Sequence, residues 1–332
     1  MAKNRIKMLA ALVAVGMSVA ACGSTEDNGT SNNLNSENSI TIEDNNGELQ
    51  VPKNPKSVVA LDNRSFEILN EWGVELTAAP KKLVPASVTD YKENEGIKDL
   101  GNHKEPDFEA LVAAQPDLVI SGQRFSSHDE EIKKLVPDAA VVELEPREGK
   151  PLDEELIRQI TTLGEVFGKK DEAEKMVKEF KGAKERAKKA YDKLDGGKKV
   201  MAVNVSGGEI GYVAPHVGRV WGPVFDWVGM DPALKVDNAS SNHEGDDISV
   251  EAIAKAKPDW MLVLDRDGAV NADKPDYSPA ADVIKRADAL KGVPALKDNH
   301  VLVAPQDTYI NESITTYTEI LNSLADAFEG KK

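Results

Sequence analysis

Two stretches of the chain carry the same order of apolar and polar side chains. Phe108-Glu-Ala-Leu-Val-Ala-Ala-Gln-Pro-Asp-Leu-Val-Ile120 aligns without a gap on Val250-Glu-Ala-Ile-Ala-Lys-Ala-Lys-Pro-Asp-Trp-Met-Leu262, an offset of 142 from residue 108 to residue 250. In each, apolar residues at three- and four-residue steps predict a helix, a Pro-Asp pair breaks it, and a continuous apolar run follows. A helix leading straight into such a run predicts a buried parallel strand. Residues 57–61 predict a strand before a helix over 65–72, which Gly73 ends. Residues 199–205 and 300–303 predict strands of the second half.

Between the repeats, Ala173, Met176, Val177, Phe180, Ala183, Ala187, Ala190, Tyr191 and Leu194 recur at helical spacing, with Lys and Glu opposite, until Gly196-Gly197. The pattern predicts one helix over 172–194, about 35 Å long at 1.5 Å per residue. Its place midway between the repeated units makes it a rigid spine. The expected fold is therefore α/β: two lobes with parallel-type sheets joined by one long helix. The expected boundaries are an N-terminal lobe over 40–168, the spine segment over 169–197 and a C-terminal lobe over 198–330. Two lobes leave a cleft, where ligands bind.

The N-terminal end reads as an address. Lys3, Arg5 and Lys7 precede an apolar run from Met8 to Val15, too short for a comfortable transmembrane helix. Val19-Ala20-Ala21-Cys22 follows and resembles a bacterial lipobox. Residues 1–21 are expected to be a lipoprotein signal peptide, Cys22 the lipid attachment point, and residues 22–39, rich in Ser, Thr, Asn and Gly, a flexible tether.

Charge narrows the partners. The 332-residue chain has a net charge of −16, and loss of residues 1–21 with Lys3, Arg5 and Lys7 makes it −19. Such acidity argues against nucleic acid, which requires clustered Lys and Arg. An anionic ligand would need a local basic pocket. The one cysteine excludes an internal disulfide framework and a Cys-rich zinc site. No Gly-x-Ser-x-Gly elbow, Walker loop, Gly-x-Gly-x-x-Gly after a strand or His-Glu-x-x-His occurs, so the chain does not read as an enzyme. His103, His128, His216, His243 and His300 are scattered singly.

The arginines carry more information. Arg124 follows the apolar run 118–120 and Arg266 follows 260–264, again at the offset of 142. Loops at the carboxyl ends of parallel strands form the ligand crevice of open α/β sheets, which sets these two across the cleft from each other. Arg219 lies in Gly218-Arg-Val-Trp-Gly222, a loop whose glycines let the backbone approach a ligand. Arginine stays charged when buried, donates in a fork and stacks on rings. Trp221, Trp227 and Tyr212 are candidates for the pocket wall or for core packing.

Over about 40–328 the chain resembles the iron-siderophore substrate-binding lipoproteins of ABC importers. It is most similar to the catecholate receptors of the enterochelin and petrobactin type. The matching stretches are Gly101-Asn-His-Lys-Glu-Pro-Asp-Phe-Glu109, Pro116-Asp-Leu-Val-Ile-Ser-Gly122, Thr161-Thr-Leu-Gly164, Ile248-Ser-Val-Glu251 and Pro258-Asp-Trp-Met-Leu-Val-Leu-Asp-Arg266. The resemblance implies a class III clamshell with little hinge freedom. It implies an arginine triad, here Arg124, Arg219 and Arg266, binding an anionic ferric catecholate. His243, in Ser241-Asn-His-Glu-Gly245, and Tyr309, in Pro305-Gln-Asp-Thr-Tyr309, match residues that coordinate Fe(III) directly when the siderophore is tetradentate. Glu109 and Glu251, at the same place in the two repeated helices, match the pair that docks the permease.

The resemblance further implies no intrinsic cofactor, the ligand being a ferric siderophore. It also implies an ABC importer permease and ATPase as partners, a lipid anchor on the extracytoplasmic face of the cell membrane, and a monomer. A haem- or cobalamin-binding receptor of the same fold is the alternative. This chain departs from the pattern with Ser-Gly-Gln-Arg124 where relatives have Ser-Gly-Arg, one extra residue after Arg219, an extra Glu244 after His243, and Asp307 in place of the first Tyr of the Tyr309 run.

Overall fold

The computed structural model describes residues 38–236 and 240–331. The leader, Cys22 and the tether up to residue 37 lie outside the described residues. The first sheet runs in the order Lys98–Asp99, Ala78–Ala79, Val58–Ala60, Leu118–Ser121, Ala140–Glu143, with every neighbour parallel. Its three central strands are buried throughout, as continuous apolar runs covered on both faces must be. The second sheet runs Glu209–Val213, Lys199–Ser206, Trp260–Asp265, Val301–Val303. It is parallel except at its edge, where Glu209–Val213 returns antiparallel on Lys199–Ser206. Ser39–Asp44 and Gly47–Pro52 form a separate hairpin.

The repeated stretches fold alike. Phe108–Ala114 and Val250–Ala256 are helices whose first turns are capped by Asp107 and Ser249, accepting from the amides of Ala110 and Ala252. Both end on a left-handed residue, Gln115 at φ 46° and Lys257 at φ 49°. The Asp of each Pro-Asp pair then pins the neighbouring strand: Asp117 accepts from the Ser57 amide at 3.0 Å, and Asp259 from the Lys199 amide at 2.8 Å. The pattern predicts one helix over 65–72. Instead Asp62 caps a 3-10 turn, Asn63–Ser65, and the α-helix is Phe66–Glu71.

The spine is Lys170–Asp192, 23 residues long. It starts and stops two residues before the expected span, and Leu194 lies in the following turn, its amide on the Tyr191 carbonyl at 3.1 Å. Ala173, Met176, Phe180, Ala183, Ala187, Ala190 and Tyr191 are buried along one stripe. Small residues there let neighbours approach closely. Leu152–Val166 crosses at Gly164, where a Cβ would stand 2.7 Å from that of Ala173. Ile314–Phe328 packs along the same stripe.

One apolar cluster includes Val58, Ala60, Leu118 and Ile120 of the first sheet, Val200, Ala202, Leu262 and Leu264 of the second, and the inner faces of the three long helices. Both halves therefore share a core. Wide hinge opening would expose apolar surface at about 25 cal/mol per Å², so the geometry resists it. Among the described residues, no helix is long and apolar enough to cross a membrane.

Candidate functional site

The strand ends of both sheets open on one cavity of about 910 Å³. All five residues expected to meet ligand line it: Arg124 from the first half, and Arg219, His243, Arg266 and Tyr309 from the second.

Tyr309 organises the floor. Its side chain is buried, and two guanidinium groups lie over its ring, that of Arg219 at 4.2 Å from the centroid and that of Arg266 at 5.3 Å. Such contacts are worth about 0.5–2 kcal/mol each. Arg219 also donates from Nη2 to the Tyr309 carbonyl at 3.0 Å and from Nε to Glu312. Glu312 accepts on its other oxygen from Arg64 Nη2 at 3.1 Å. Arg266 is less committed: Nη1 donates to Ser206 Oγ at 3.0 Å, and its buried Nε has no partner among the described residues. The expected arginines thus differ in freedom.

Arg124 stands at the rim, exposed, with Nη1 3.2 Å from His103 Nε2. Burial, then the Arg124 charge, holds the His103 imidazole below its usual range. A neutral ring can accept from the guanidinium and orient it.

Each departure from the family pattern has a local solution. Gln123 adopts φ 52°, turning the chain so that both Gln123 and Arg124 line the cavity. After Arg219, where the chain carries one extra residue, Val220 forms a γ-turn at φ 64°, ψ −65°, with the Trp221 amide on the Arg219 carbonyl at 2.8 Å. Left-handed geometry at a β-branched residue stores on the order of 1–3 kcal/mol of strain. The loop with Glu244 is pinned to the edge strand by two Tyr212–Asp246 backbone bonds of 2.8 Å. Gly211 permits this, because a Cβ there would stand 2.4 Å from the Glu244 carbonyl oxygen. Buried Asn204 donates to the His243 carbonyl at 2.9 Å, and the half-exposed His243 ring remains on the cavity wall, with Nε2 3.8 Å from Glu244.

Asp307 bridges the halves, accepting from the Ser87 amide at 2.9 Å and the Ala86 amide at 3.3 Å. Asn63 to the Ile310 carbonyl, and Asn311 to Glu67 at 2.6 Å, extend the same seam.

The nearby aromatics are not pocket wall. Trp221 and Tyr212 are buried, and the Tyr212 hydroxyl is spent on the Leu234 carbonyl. Trp227 packs edge-on to Phe180 and Tyr317. Glu109 and Glu251 are exposed in the first turns of their helices. Sequence reasoning missed His103, Lys82 and Lys104 on the wall, and Arg64 and Glu312 behind it. Their proximity is tertiary, and no spacing announces it.

Behind the floor lies a buried acidic group. Asp62 accepts from the Arg64 amide at 3.1 Å and from Gln159 Nε2 at 2.6 Å. Gly122 makes room for it, since a Cβ there would come within 3.0 Å of the Asp62 side chain. Burial pushes Asp62 from 3.8 up to about 6 against the pull of Arg64, and burial pushes Glu143 from 4.5 up to about 7. The folded state therefore keeps these protons longer than the unfolded chain, and stability falls as pH rises from about 4 to about 7. Glu155, held at about 2 chiefly by its hydrogen bond from Arg147, works the other way and loses its contribution below its ordinary 4.5. The melting temperature is therefore expected to rise on acidification from about pH 8 and peak near about pH 5. Asp62→Asn should flatten that slope by up to roughly 3 kcal/mol. Thermal melts across pH check this, and a wild-type curve flat between about pH 5 and 8 contradicts it.

A family model described as periplasmic binding protein matches residues 58–308. The petrobactin-binding protein YclQ of Bacillus subtilis strain 168 is 28% identical over 318 residues, 94% of this chain and 95% of that protein. The ferric-anguibactin-binding protein FatB of Vibrio anguillarum is 28% identical over 307 residues, 88% of each. The crystal structure of YclQ superposes with a TM-score of 0.74 at 26% identity, covering 88% of this chain and 99% of that one.

Proposed function

The chain belongs to the periplasmic binding protein family, and from that premise we propose that it captures a ferric siderophore, of the catecholate class, in its cavity and delivers it to an ABC importer. It is a binding protein and not an enzyme; the iron complex is cargo rather than a resident cofactor. One observation carries the ligand class: Arg219 and Arg266 both lie over the Tyr309 ring on the floor of a cavity whose rim holds Arg124. Catecholates are anionic and flat, so they match fork donors and stacking faces together. Each charge-assisted hydrogen bond from an arginine would add about 1.5–3 kcal/mol. The similarity to a petrobactin-binding and a ferric-anguibactin-binding protein supports the same reading.

His243 and Tyr309 complete the iron shell when a tetradentate ligand leaves two positions open, phenolate oxygen suiting a hard ferric ion. With a hexadentate ligand they only touch the complex. The two halves act as lobes with the spine limiting their opening. The protein works as a monomer held at the outer face of the cell membrane through lipid on Cys22, after removal of residues 1–21. Intact-mass spectrometry of the membrane-extracted protein is expected to find that lipid, and an unmodified mature N-terminus contradicts the anchor.

The test of function is titration of the purified protein with ferric catecholate, ferric hydroxamate, haem and cobalamin, read by tryptophan fluorescence. Saturable binding should be tightest for ferric catecholate. Tighter binding of haem or cobalamin overturns the proposal.

A further inference from the structure

Of the cavity's arginines, Arg219 alone hydrogen-bonds a buried carboxylate among the described residues, whereas Arg266 Nη1 stands 3.8 Å from the buried Asp267. Glu312 ends the short helix Thr308–Asn311 in left-handed geometry, at φ 47°. Its side chain is 7% exposed. One carboxylate oxygen accepts from Arg219 Nε, the other from Arg64 Nη2 across the seam at 3.1 Å. Arg64 does not line the cavity, and its Nε and Nη1 have no hydrogen-bond partner among the described residues. Arg219 thus has Nε on Glu312, Nη2 on the Tyr309 carbonyl and one face over the Tyr309 ring, and its positive charge on the cavity wall is opposed at contact distance by a negative one.

That opposition discriminates among ligands. A ferric ion with two catecholate dianions is monoanionic; with three it is trianionic. A fixed negative charge just behind the floor repels the second complex through two more unit charges than the first. Poor screening in a desolvated site makes such a difference matter. We propose that Glu312 sets the charge of the complex the cavity accepts, favouring monoanionic ferric bis-catecholates over trianionic tris-catecholates. The inference rests on the siderophore-binding reading above. It adds a residue that touches no ligand and acts through Arg219.

The experiment measures the ratio of two dissociation constants on the purified protein, for a synthetic tetradentate bis-catecholate and a synthetic hexadentate tris-catecholate, each loaded with iron(III). Glu312→Gln keeps the shape and removes the charge. It should shift the ratio about tenfold or more towards the tris complex, on the electrostatic scale of a buried unit charge. A merely structural role lowers both affinities alike and leaves the ratio unmoved. Arg64→Met removes the opposing cation behind Glu312 and should shift the ratio the other way, which keeps the proposal testable if Glu312→Gln does not fold. An unchanged ratio in either variant, with both complexes still bound, overturns it. If wild-type protein binds neither complex, the siderophore reading itself fails.

Discussion

Replacing Glu109 and Glu251 together by alanine is expected to abolish siderophore uptake by cells while leaving ligand affinity unchanged. The two carboxylates occupy equivalent first-turn positions of Phe108–Ala114 and Val250–Ala256, one in each half. Both are exposed, and neither enters an ion pair among the described residues, so neither is spent on the fold. Their structural contribution is limited to the helix dipole, about 0.3–1 kcal/mol each at the surface. The caps that hold these helices, Asp107 and Ser249, remain in the double variant. Two equivalent anionic points suit a permease built on two-fold symmetry, where each would meet a cationic partner. Losing one contact should weaken docking, and losing both should remove its electrostatic steering. Iron uptake by cells expressing the variant at wild-type level, beside its melting temperature and ligand affinity in vitro, separates docking from folding and binding. Normal uptake by a well-expressed double variant would sink the docking role.

Much of this architecture is readable from the chain because it rests on local periodicity. The 142-residue repeat announces two helix–strand units, and the structure returns them with matching caps, matching left-handed ends and matching Pro-Asp pins. The spine is legible for the same reason: a 3.6-residue stripe of small and aromatic residues runs unbroken to a glycine pair. Boundaries moved where a side chain rather than a period decides the end, as at Asp62, which turns the start of one helix into a 3-10 turn.

The candidate residues were legible one by one, but the circuit that joins them was not. All five expected ligand contacts line the cavity, since strand-end loops are where an α/β sheet gathers them. The electrostatic partners of those residues come from far along the chain. Arg64 and Glu312 are 248 positions apart, and His103 reaches Arg124 only through tertiary packing. The aromatics near Arg219 show the converse. Trp221 is a neighbour in sequence, yet the γ-turn at Val220 sends it into the core. Adjacency along the chain decides little once a backbone turns that sharply.

Arg266 is the guanidinium whose loss should cost the most binding with the least damage to the fold. Arg219 is held by Glu312 and the Tyr309 carbonyl, so its removal would leave a buried carboxylate with a weakened complement. Arg124 is exposed and shares its charge with solvent and His103. Arg266 has one hydroxyl partner, an Asp267 oxygen at 3.8 Å, a Tyr309 ring at 5.3 Å and a buried Nε with no partner. A buried donor without an acceptor is a liability in the empty protein and becomes an asset only when an anion arrives. Arg266→Ala is therefore expected to leave the ligand-free melting temperature nearly unchanged while weakening ferric catecholate binding roughly ten- to hundredfold, the equivalent of one charge-assisted hydrogen bond. Arg266→Lys should fall between, because the ammonium keeps the charge but loses the fork and the flat face. Tyr309→Phe keeps the ring beneath both guanidinium groups, so affinity for a hexadentate complex should survive. For a tetradentate complex it should remove the phenolate contribution to the visible charge-transfer band. Calorimetric titration and the absorption spectrum of the ferric complexes read these outcomes together. An Arg266→Ala protein that binds as tightly as wild type means that Arg266 does not supply the binding charge.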